Sequence, residues 1–170
     1  MRADVHVLAH DGGLLDAACV AVVAALRHFR RPDVAVLEGR EVRVYGVRER
    51  VPVPLSMLHY PLCVTFSFFR TGVSGSGGGD GEVVLVDATA REAAVSVGEL
   101  ALTLNRHGEV CQMAKMGPGA VDALTLLGCT RVALVKVQEV TKFITRRLEE
   151  EEKARDVGGL LAELSAENDR

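Results

Sequence analysis

The pattern of apolar and polar residues is most informative at the start of the chain, over residues 4–31. Apolar residues alternate with other residues at positions 5–9, which is typical of a half-buried strand. The sequence Asp11-Gly12-Gly13 then favours a turn, because glycine permits positive φ and the carboxylate can accept hydrogen bonds from free backbone amides. Apolar residues next recur three and four apart, which predicts an amphipathic helix ending in arginines before Pro32.

The middle of the chain predicts antiparallel strands. The predicted pairs are residues 34–37 with 42–45, residues 62–69 with 83–87, and residues 98–104 with 109–116. Prolines favour a loop over residues 46–61, and a glycine and serine tract predicts an expanded hairpin loop at residues 71–82.

The last part of the chain predicts two helical segments. One covers residues 120–127, and the other runs from 131 to about 155 after an interruption at Gly128. Residues 156–170 form a polar tail, expected to be solvated. A strand and a helix, then several antiparallel strands, then two helices predict an α+β fold, a mixed sheet with helices packed on one face.

Composition narrows the class of protein. A chain of 170 residues suits one domain, and a net charge of −3 argues against a strongly basic nucleic-acid binder. The absence of both a long apolar run and a signal-peptide profile predicts an intracellular protein without a membrane contact. The four cysteines are far apart, so buried free thiols are favoured over metal ligands or disulfides.

The strand, turn and helix at the start of the chain are also the geometry of a phosphate site. Leu14 and Leu15 follow Asp11, Gly12 and Gly13, however, where an anion site would profit from a hydroxyl and a cation. A structural turn is therefore favoured. The glycines at positions 77–79 lack the Lys-Ser/Thr that a phosphate-binding loop requires.

Arginines cluster between residues 27 and 50, and they are interleaved with acidic residues. A mixed-charge surface is favoured, with weak RNA contact as the alternative. The candidates for that contact are Arg27, Arg30, Arg31 and Arg43. His6 and His10 are too far apart along a strand to share a metal ion, so no metal site is expected.

Six separated segments resemble a known family in order and spacing: HDGGLLDAA, ALRHFRRPDV, VPLSMLHYPLCVTFSFF, VLVDATARE, NRHGEVCQ and VALVKVQEVTKFI. They are similar to the second half of the RNase PH-like ring subunits of the eukaryotic RNA exosome. The resemblance implies an RNase PH-like fold, akin to ribosomal protein S5 domain 2. It also implies that residues 1–155 form a partial domain from which the first half is absent.

The resemblance further implies that the catalytic side chains are missing. Phosphorolytic members carry Gly-Gly-Thr-Arg, and the positions matching its last three residues are Gly13, Leu14 and Leu15. Two aspartates of active members fall on Arg91 and Val97. An aliphatic or cationic side chain there can neither bind Mg²⁺ nor donate a proton.

The expected function is therefore that of a non-catalytic structural subunit of the exosome ring that supports RNA processing and decay. The expected partners are other RNase PH-like ring subunits, cap subunits and, weakly, RNA, with no cofactor. The expected locations are nucleus, nucleolus and cytoplasm. The alternatives are a phosphate-dependent 3′-to-5′ exoribonuclease and an unassembled, non-functional fragment.

Overall fold

The computed structural model describes residues 2–36, 41–47, 49–74 and 80–155. These residues fall into two compact units. The first unit comprises Met1–Val23 with His59–Lys142, and the second comprises Ala24–Leu58 with Phe143–Arg170. In chain order the elements are α1 (Leu14–His28), β1 (Arg30–Arg31), β2 (Val34–Val36), β3 (Val42–Val44), β4 (Val53–Pro54), β5 (Leu62–Ser74), β6 (Asp80–Val86), α2 (Ala90–Ala93), β7 (Gly98–Leu104), β8 (Val110–Met116) and α3 (Ala123–Arg155).

A four-stranded antiparallel sheet forms the first unit, with the strand order β6-β5-β7-β8. Strands β5 and β7 are central, and their β-branched, aromatic and leucine side chains fit a strand covered on both faces. Leu62 lies opposite Leu104, and Phe66 lies opposite Leu100. All four of these side chains are at most 2% exposed. The core of the unit is therefore centred on this pair of strands.

Both faces of the central strands are buried. Phe66 and Leu100 lie on one face, while Cys63 and Ser67 lie on the other, and all four are buried. Helix α1 reaches the second of these faces through a hydrogen bond between Asp16 and Thr65. Helix α3 buries a stripe of residues four apart, Cys129, Ala133 and Val137. Leu134 of α3 also lies against Gly108 in the β7–β8 turn.

The second unit contains two small antiparallel ribbons, β1 with β4 and β2 with β3. Strand β2 pairs with β3 so that Val34 lies opposite Val44. Asp33 and Arg50 form an ion pair of 3.2 Å beside this ribbon, and both side chains are largely shielded from solvent. Since a two-stranded ribbon is marginal alone, such side-chain contacts contribute to its stability.

The predicted α+β class is confirmed. The predicted hairpins at residues 34–45 and 98–116 are also confirmed, because each is a local pattern around a short connection. Two details differ: the described sheet is antiparallel throughout, and its central strands are covered on both faces. None of the described helices is both long enough and apolar enough to cross a membrane.

Three predicted elements are wrong in extent or type. Residues 5–9 form no strand, since they belong to none of the described sheets, and Leu8 is 97% exposed. Gly128 does not interrupt α3, which is continuous. The loop predicted at residues 71–82 is shorter, because β5 extends to Ser74 and β6 begins at Asp80. The predicted polar tail at residues 156–170 and the glycines at 77–79 lie outside the described residues.

Candidate functional site

The predicted turn lies immediately before helix α1. Gly12 and Gly13 have φ values of +97° and +56°, a region that side chains disfavour. The amide of Ala17 donates to the carbonyl of Gly13 over 3.0 Å, which closes the first turn of α1. The sequence folds this way because only glycine adopts these two successive conformations at little cost.

This turn lies against the segment that joins β6 to α2. A Cβ at Gly12 would lie only 2.0 Å from the carbonyl oxygen of Ala88, and one at Gly13 would lie 3.0 Å from Asp87 Oδ1. Asp11 Oδ1 accepts a hydrogen bond of 3.4 Å from the amide of Ala90, the first residue of α2. The turn therefore joins two chain segments that are distant in sequence, and we call this contact the α1–α2 junction.

Helix α2 was not predicted, although its start carries a recognisable signal. Thr89 Oγ1 accepts from the amide of Glu92, and the Glu92 carboxylate accepts from the amide of Thr89. This reciprocal pair is a capping box, which the spacing Thr-x-x-Glu specifies. Hydrogen bonding to Thr89 lowers the pKa of Glu92. The Glu92 carboxylate therefore serves to cap the start of its own helix.

The α1–α2 junction carries most of the positions at which the family resemblance implies that a catalytic residue has been replaced. Leu14 and Leu15 begin α1 and are 43% and 53% exposed, so their side chains lie where a ligand could reach them. Arg91 is exposed on α2. Val97 is half-buried, and its amide donates to the carbonyl of Phe68 over 2.8 Å. That these positions replace catalytic residues stays a prediction.

The chemistry of the α1–α2 junction is acidic and apolar. The carboxylate of Asp87 lies close to Gly13, and an anion placed at the start of α1 would meet that negative charge. Leu14 and Leu15 offer neither a hydroxyl nor a cation. Among the described residues, no group of three or more His, Cys, Asp or Glu side chains is placed to hold a metal ion.

Asp16 is a structurally important residue that sequence reasoning missed. Its carboxylate accepts from both the amide and the hydroxyl of Thr65, each over 2.7 Å. The first turn of α1 is thereby joined to the central strand β5. The only signal in the sequence is a carboxylate beside the apolar stripe of a helix, and that signal does not name its partner.

The thiols agree in part with the prediction of buried free cysteines. Cys63 and Cys129 are buried, and Cys19 is half-buried, but Cys111 is exposed because it lies on the edge strand β8. Burial raises the pKa of Cys63 to about 11, and it raises the pKa of Cys19 and of Cys129 as well. These three thiols stay protonated at neutral pH and are weak nucleophiles.

All four arginines proposed for RNA contact lie in the second unit, but two of them already bond to other residues of that unit. Arg27 donates to Thr145 Oγ1 over 2.9 Å. Arg30 donates to the carbonyl of Arg27 over 2.7 Å and forms an ion pair of 3.2 Å with Glu152. These bonds join the end of α1 to α3, so Arg27 and Arg30 have structural roles.

The other two candidates point to solvent. Arg31 lies on β1 and is exposed. Arg43 lies on β3, is exposed, and has its guanidinium 5.0 Å from the centre of the Tyr45 ring. Arg50 stacks on the same ring at 3.8 Å. Arg31 and Arg43 are therefore the candidates whose charge can reach a phosphate.

A cleft of about 620 Å³ lies in the second unit. Its lining is mostly apolar and includes Phe29, Val47 and Leu148. The charged groups that line it pair with each other, since Arg30 bonds to Glu152 and Arg155 bonds to Glu151. The cleft therefore offers no unpaired charge from these four groups to a ligand.

Comparison with known proteins shows which protein family this chain resembles. Residues 59–136 match the model of the 3′ exoribonuclease family, domain 2, and residues 1–32 match domain 1 of the same family. The match at residues 1–32 differs from the expectation that the whole chain lies in the second half of the domain. Together the two matches cover more than half of the chain.

Curated relatives agree with these matches. The chain is 45% identical over 159 residues to the exosome complex component RRP45 of Danio rerio, covering 94% of this chain and 38% of that protein. It is 44% identical over 173 residues to the exosome complex component rrp45 of Schizosaccharomyces pombe, covering all of this chain and 54% of that protein. The chain thus spans between about a third and somewhat over half of the curated relatives it matches.

A solved structure supports the fold. A chain of an archaeal exosome core has a TM-score of 0.56 and 22% identity, with 81% of this chain and 47% of that chain covered. That likeness concerns the fold, while the relationship by sequence comes from the family matches and the curated relatives. Residues 1–32 and 59–136 therefore belong to domains 1 and 2 of the 3′ exoribonuclease family, and the chain has the RNase PH-like fold.

Proposed function

We propose that this chain acts as a non-catalytic structural subunit of the RNA exosome ring and supports 3′-to-5′ RNA processing and decay. The processes served are ribosomal RNA maturation and the turnover and surveillance of messenger RNA. The relatives named as exosome complex components support membership of the complex. The single observation that carries the absence of catalysis is the pair Leu14 and Leu15 at the start of α1.

The absence of catalysis has a physical basis at the α1–α2 junction. Phosphorolysis needs a phosphate ion held beside the scissile bond, and Leu14 and Leu15 cannot hold one. The nearby carboxylate of Asp87 would repel it. The runner-up function is a phosphate-dependent exoribonuclease. It would require a group other than the side chains of Leu14 and Leu15 to bind the phosphate ion.

The partners we propose are other RNase PH-like ring subunits and the cap subunits of the exosome. The quoted segments resemble, among ring subunits, exosome component nine, while the relatives carry the name RRP45. We therefore propose the ring position that RRP45 occupies. RNA passes weakly over exposed cations such as Arg31 and Arg43, and the subunit resides in nucleus, nucleolus and cytoplasm.

Two measurements on one preparation test this function. The purified chain is mixed with purified RNase PH-like ring subunits and cap subunits, and assembly is followed by size-exclusion chromatography with light scattering. We expect the chain to enter the complex in a fixed ratio. A chain that stays outside the complex under conditions where the other subunits assemble would contradict the structural role.

The same chain is then incubated alone with labelled single-stranded RNA, Mg²⁺ and phosphate. We expect no release of nucleoside diphosphates, because the α1–α2 junction lacks a phosphate-binding side chain. Variants Asp87→Asn and Glu92→Gln serve as controls for contamination. Release that is reproducible and that disappears in either variant would establish the runner-up function instead.

A further inference from the structure

The outward face of helix α3 carries large exposed apolar side chains in the first unit. Leu124 is 80% exposed, Leu127 is 56% exposed and Val135 is 51% exposed. At 100° per residue Leu124 and Val135 lie opposite the buried stripe of Cys129, Ala133 and Val137, and Leu127 lies on the flank between the two faces. A surface helix normally carries polar residues on the side away from the core, whereas α3 also carries large apolar side chains there.

Gly128 lies in the middle of this outward face. A Cβ at this position would meet nothing within 4 Å, so packing inside the described chain does not require glycine. Glycine in a helix interior is also unfavourable, because it loses more backbone entropy on folding than alanine does. The residue leaves a notch in which the helix backbone is open to approach from outside.

Two cations complete the surface. Leu124, Arg131, Val135 and Lys142 follow one line along the helix, since each is close to a whole number of turns from the others. Among the described residues, neither Arg131 nor Lys142 takes part in an ion pair. Lys136, on the flank of this line, is paired with Glu139 over 2.9 Å. The face is therefore apolar with an excess of positive charge.

We propose that this outer stripe, made of Leu124, Gly128, Arg131, Val135 and Lys142, binds one amphipathic helix of a neighbouring protein subunit. Aliphatic side chains of that helix pack around Gly128, where the missing side chain lets the two backbones approach. A carboxylate of the partner helix pairs with Arg131, whose planar guanidinium can bond to it at two points. The inference rests on the proposed function, because it assumes that the chain enters a protein complex.

Two substitutions of Gly128 distinguish an effect on packing in the complex from an effect on the stability of the chain. Both Gly128→Ala and Gly128→Leu introduce better helix formers at an open position, so each should raise the melting temperature by a few degrees. Only leucine fills the notch. We expect the Gly128→Leu variant to bind the reconstituted ring and cap subunits roughly tenfold or more weakly, while Gly128→Ala stays within roughly threefold of the unmodified chain.

Charge reversal tests the paired carboxylate. Arg131→Glu should weaken assembly by roughly tenfold or more. The matched control Arg147→Glu, at an exposed position on another face of the same helix, should leave assembly unchanged. A photoreactive amino acid at Val135 then identifies the partner segment by cross-linking within the purified complex. Replacing the carboxylate found in that segment by arginine should restore binding to Arg131→Glu.

The outcomes distinguish this inference from the proposed function. An unmodified chain that does not assemble overturns both. Normal assembly of Gly128→Leu and Arg131→Glu overturns the docking inference and leaves the structural role intact. Cross-links that form only within the same chain, or to a partner segment without an acidic helix, also overturn it.

Discussion

At the scale of single residues, Gly12 and Gly119 show that glycine can be essential at one position of the fold and replaceable at another. Gly12 has positive φ and lies against Ala88, so its missing side chain is essential to the α1–α2 junction. Gly119 has nothing within 4 Å of the position where a Cβ would lie. The sequence predicts a turn at Gly12, but only the contact across the fold shows that a side chain cannot be accommodated there.

Replacing Gly12 by alanine should therefore destabilise the chain strongly. The new methyl group would lie 2.0 Å from the carbonyl oxygen of Ala88, and the backbone would also be strained. We expect a loss of about 2–3 kcal/mol or more in the free energy of unfolding, from strain and from the displaced segment. The matched variant Gly119→Ala should change it by less than about 0.5 kcal/mol.

Equilibrium unfolding in urea measures both variants against the unmodified chain. Equal midpoints for Gly12→Ala and Gly119→Ala would show that the segment around Ala88 shifts at no cost. The close approach would then have no role in holding the α1–α2 junction together.

At the scale of elements, features set by residues adjacent in sequence were predictable, and features that depend on a distant segment of the chain were not. The hairpin of β7 and β8 was predicted because its two strands and its turn are adjacent in sequence. Residues 5–9 have the alternation of a strand, but alternation does not supply a neighbouring strand. Helix α3 continues through Gly128 because its buried stripe on the opposite side outweighs the modest cost of one glycine.

The candidate site was predictable in the same limited way. The turn at Asp11, Gly12 and Gly13 was predicted, but its contact with Ala88 and Ala90 was not, because that contact joins distant segments. Helix α2 could have been predicted from Thr89 and Glu92, since a capping box is local. For the arginines, sequence spacing alone could not separate those bonded within the fold from those that face solvent.

The two short ribbons place Arg31 and Arg43 in solvent, which leads to a prediction for RNA binding. Charge reversal at both positions should reduce RNA affinity and make it less dependent on salt, with the slope falling by about 0.7 for each phosphate that is no longer neutralised. Arg27→Lys should instead lower thermal stability, because the guanidinium bonds to Thr145. Filter binding of single-stranded RNA from low to high salt measures the slopes.

The exposed Arg2 provides the control for net charge, because it lies in the other unit and Arg2→Glu changes the total by the same amount per residue. An unchanged slope in the Arg31 and Arg43 double variant would place RNA contact on another surface. Affinity that does not depend on salt would exclude phosphate contacts of this kind altogether.

At the scale of the whole molecule, exposed apolar residues predict that the isolated chain is marginal. The faces of β5 are buried over most of residues 62–69, so this strand contributes little to the exposed apolar surface. Large apolar side chains are exposed elsewhere, among them residues 5–8, strands β2 and β3, and the outward side of α3. Monomers rarely expose contiguous patches larger than a few hundred Å², and such patches mark surfaces that bind a partner.

The size of this effect follows from the transfer of apolar surface. At about 25 cal/mol per Å², a few hundred Å² left in water forgoes several kcal/mol, comparable with the whole stability of a small domain. Residues 5–8 add a second route to association, because their backbone belongs to none of the described sheets and can pair with another chain. We therefore expect the isolated chain to bind an exposed-surface dye, to melt broadly and to aggregate with rising concentration.

A neighbouring ring subunit should reverse these properties by covering that surface, so its addition should raise the melting temperature and give a single species in light scattering. An inert protein at equal concentration controls for crowding, which has only a weak effect. A cooperative transition of the isolated chain that does not depend on concentration, together with no dye binding, would mean that the exposed residues 5–8 and the outer stripe cost the chain little. In that case the first unit holds its fold on the buried pair β5 and β7 and on the inward stripe of α3 alone.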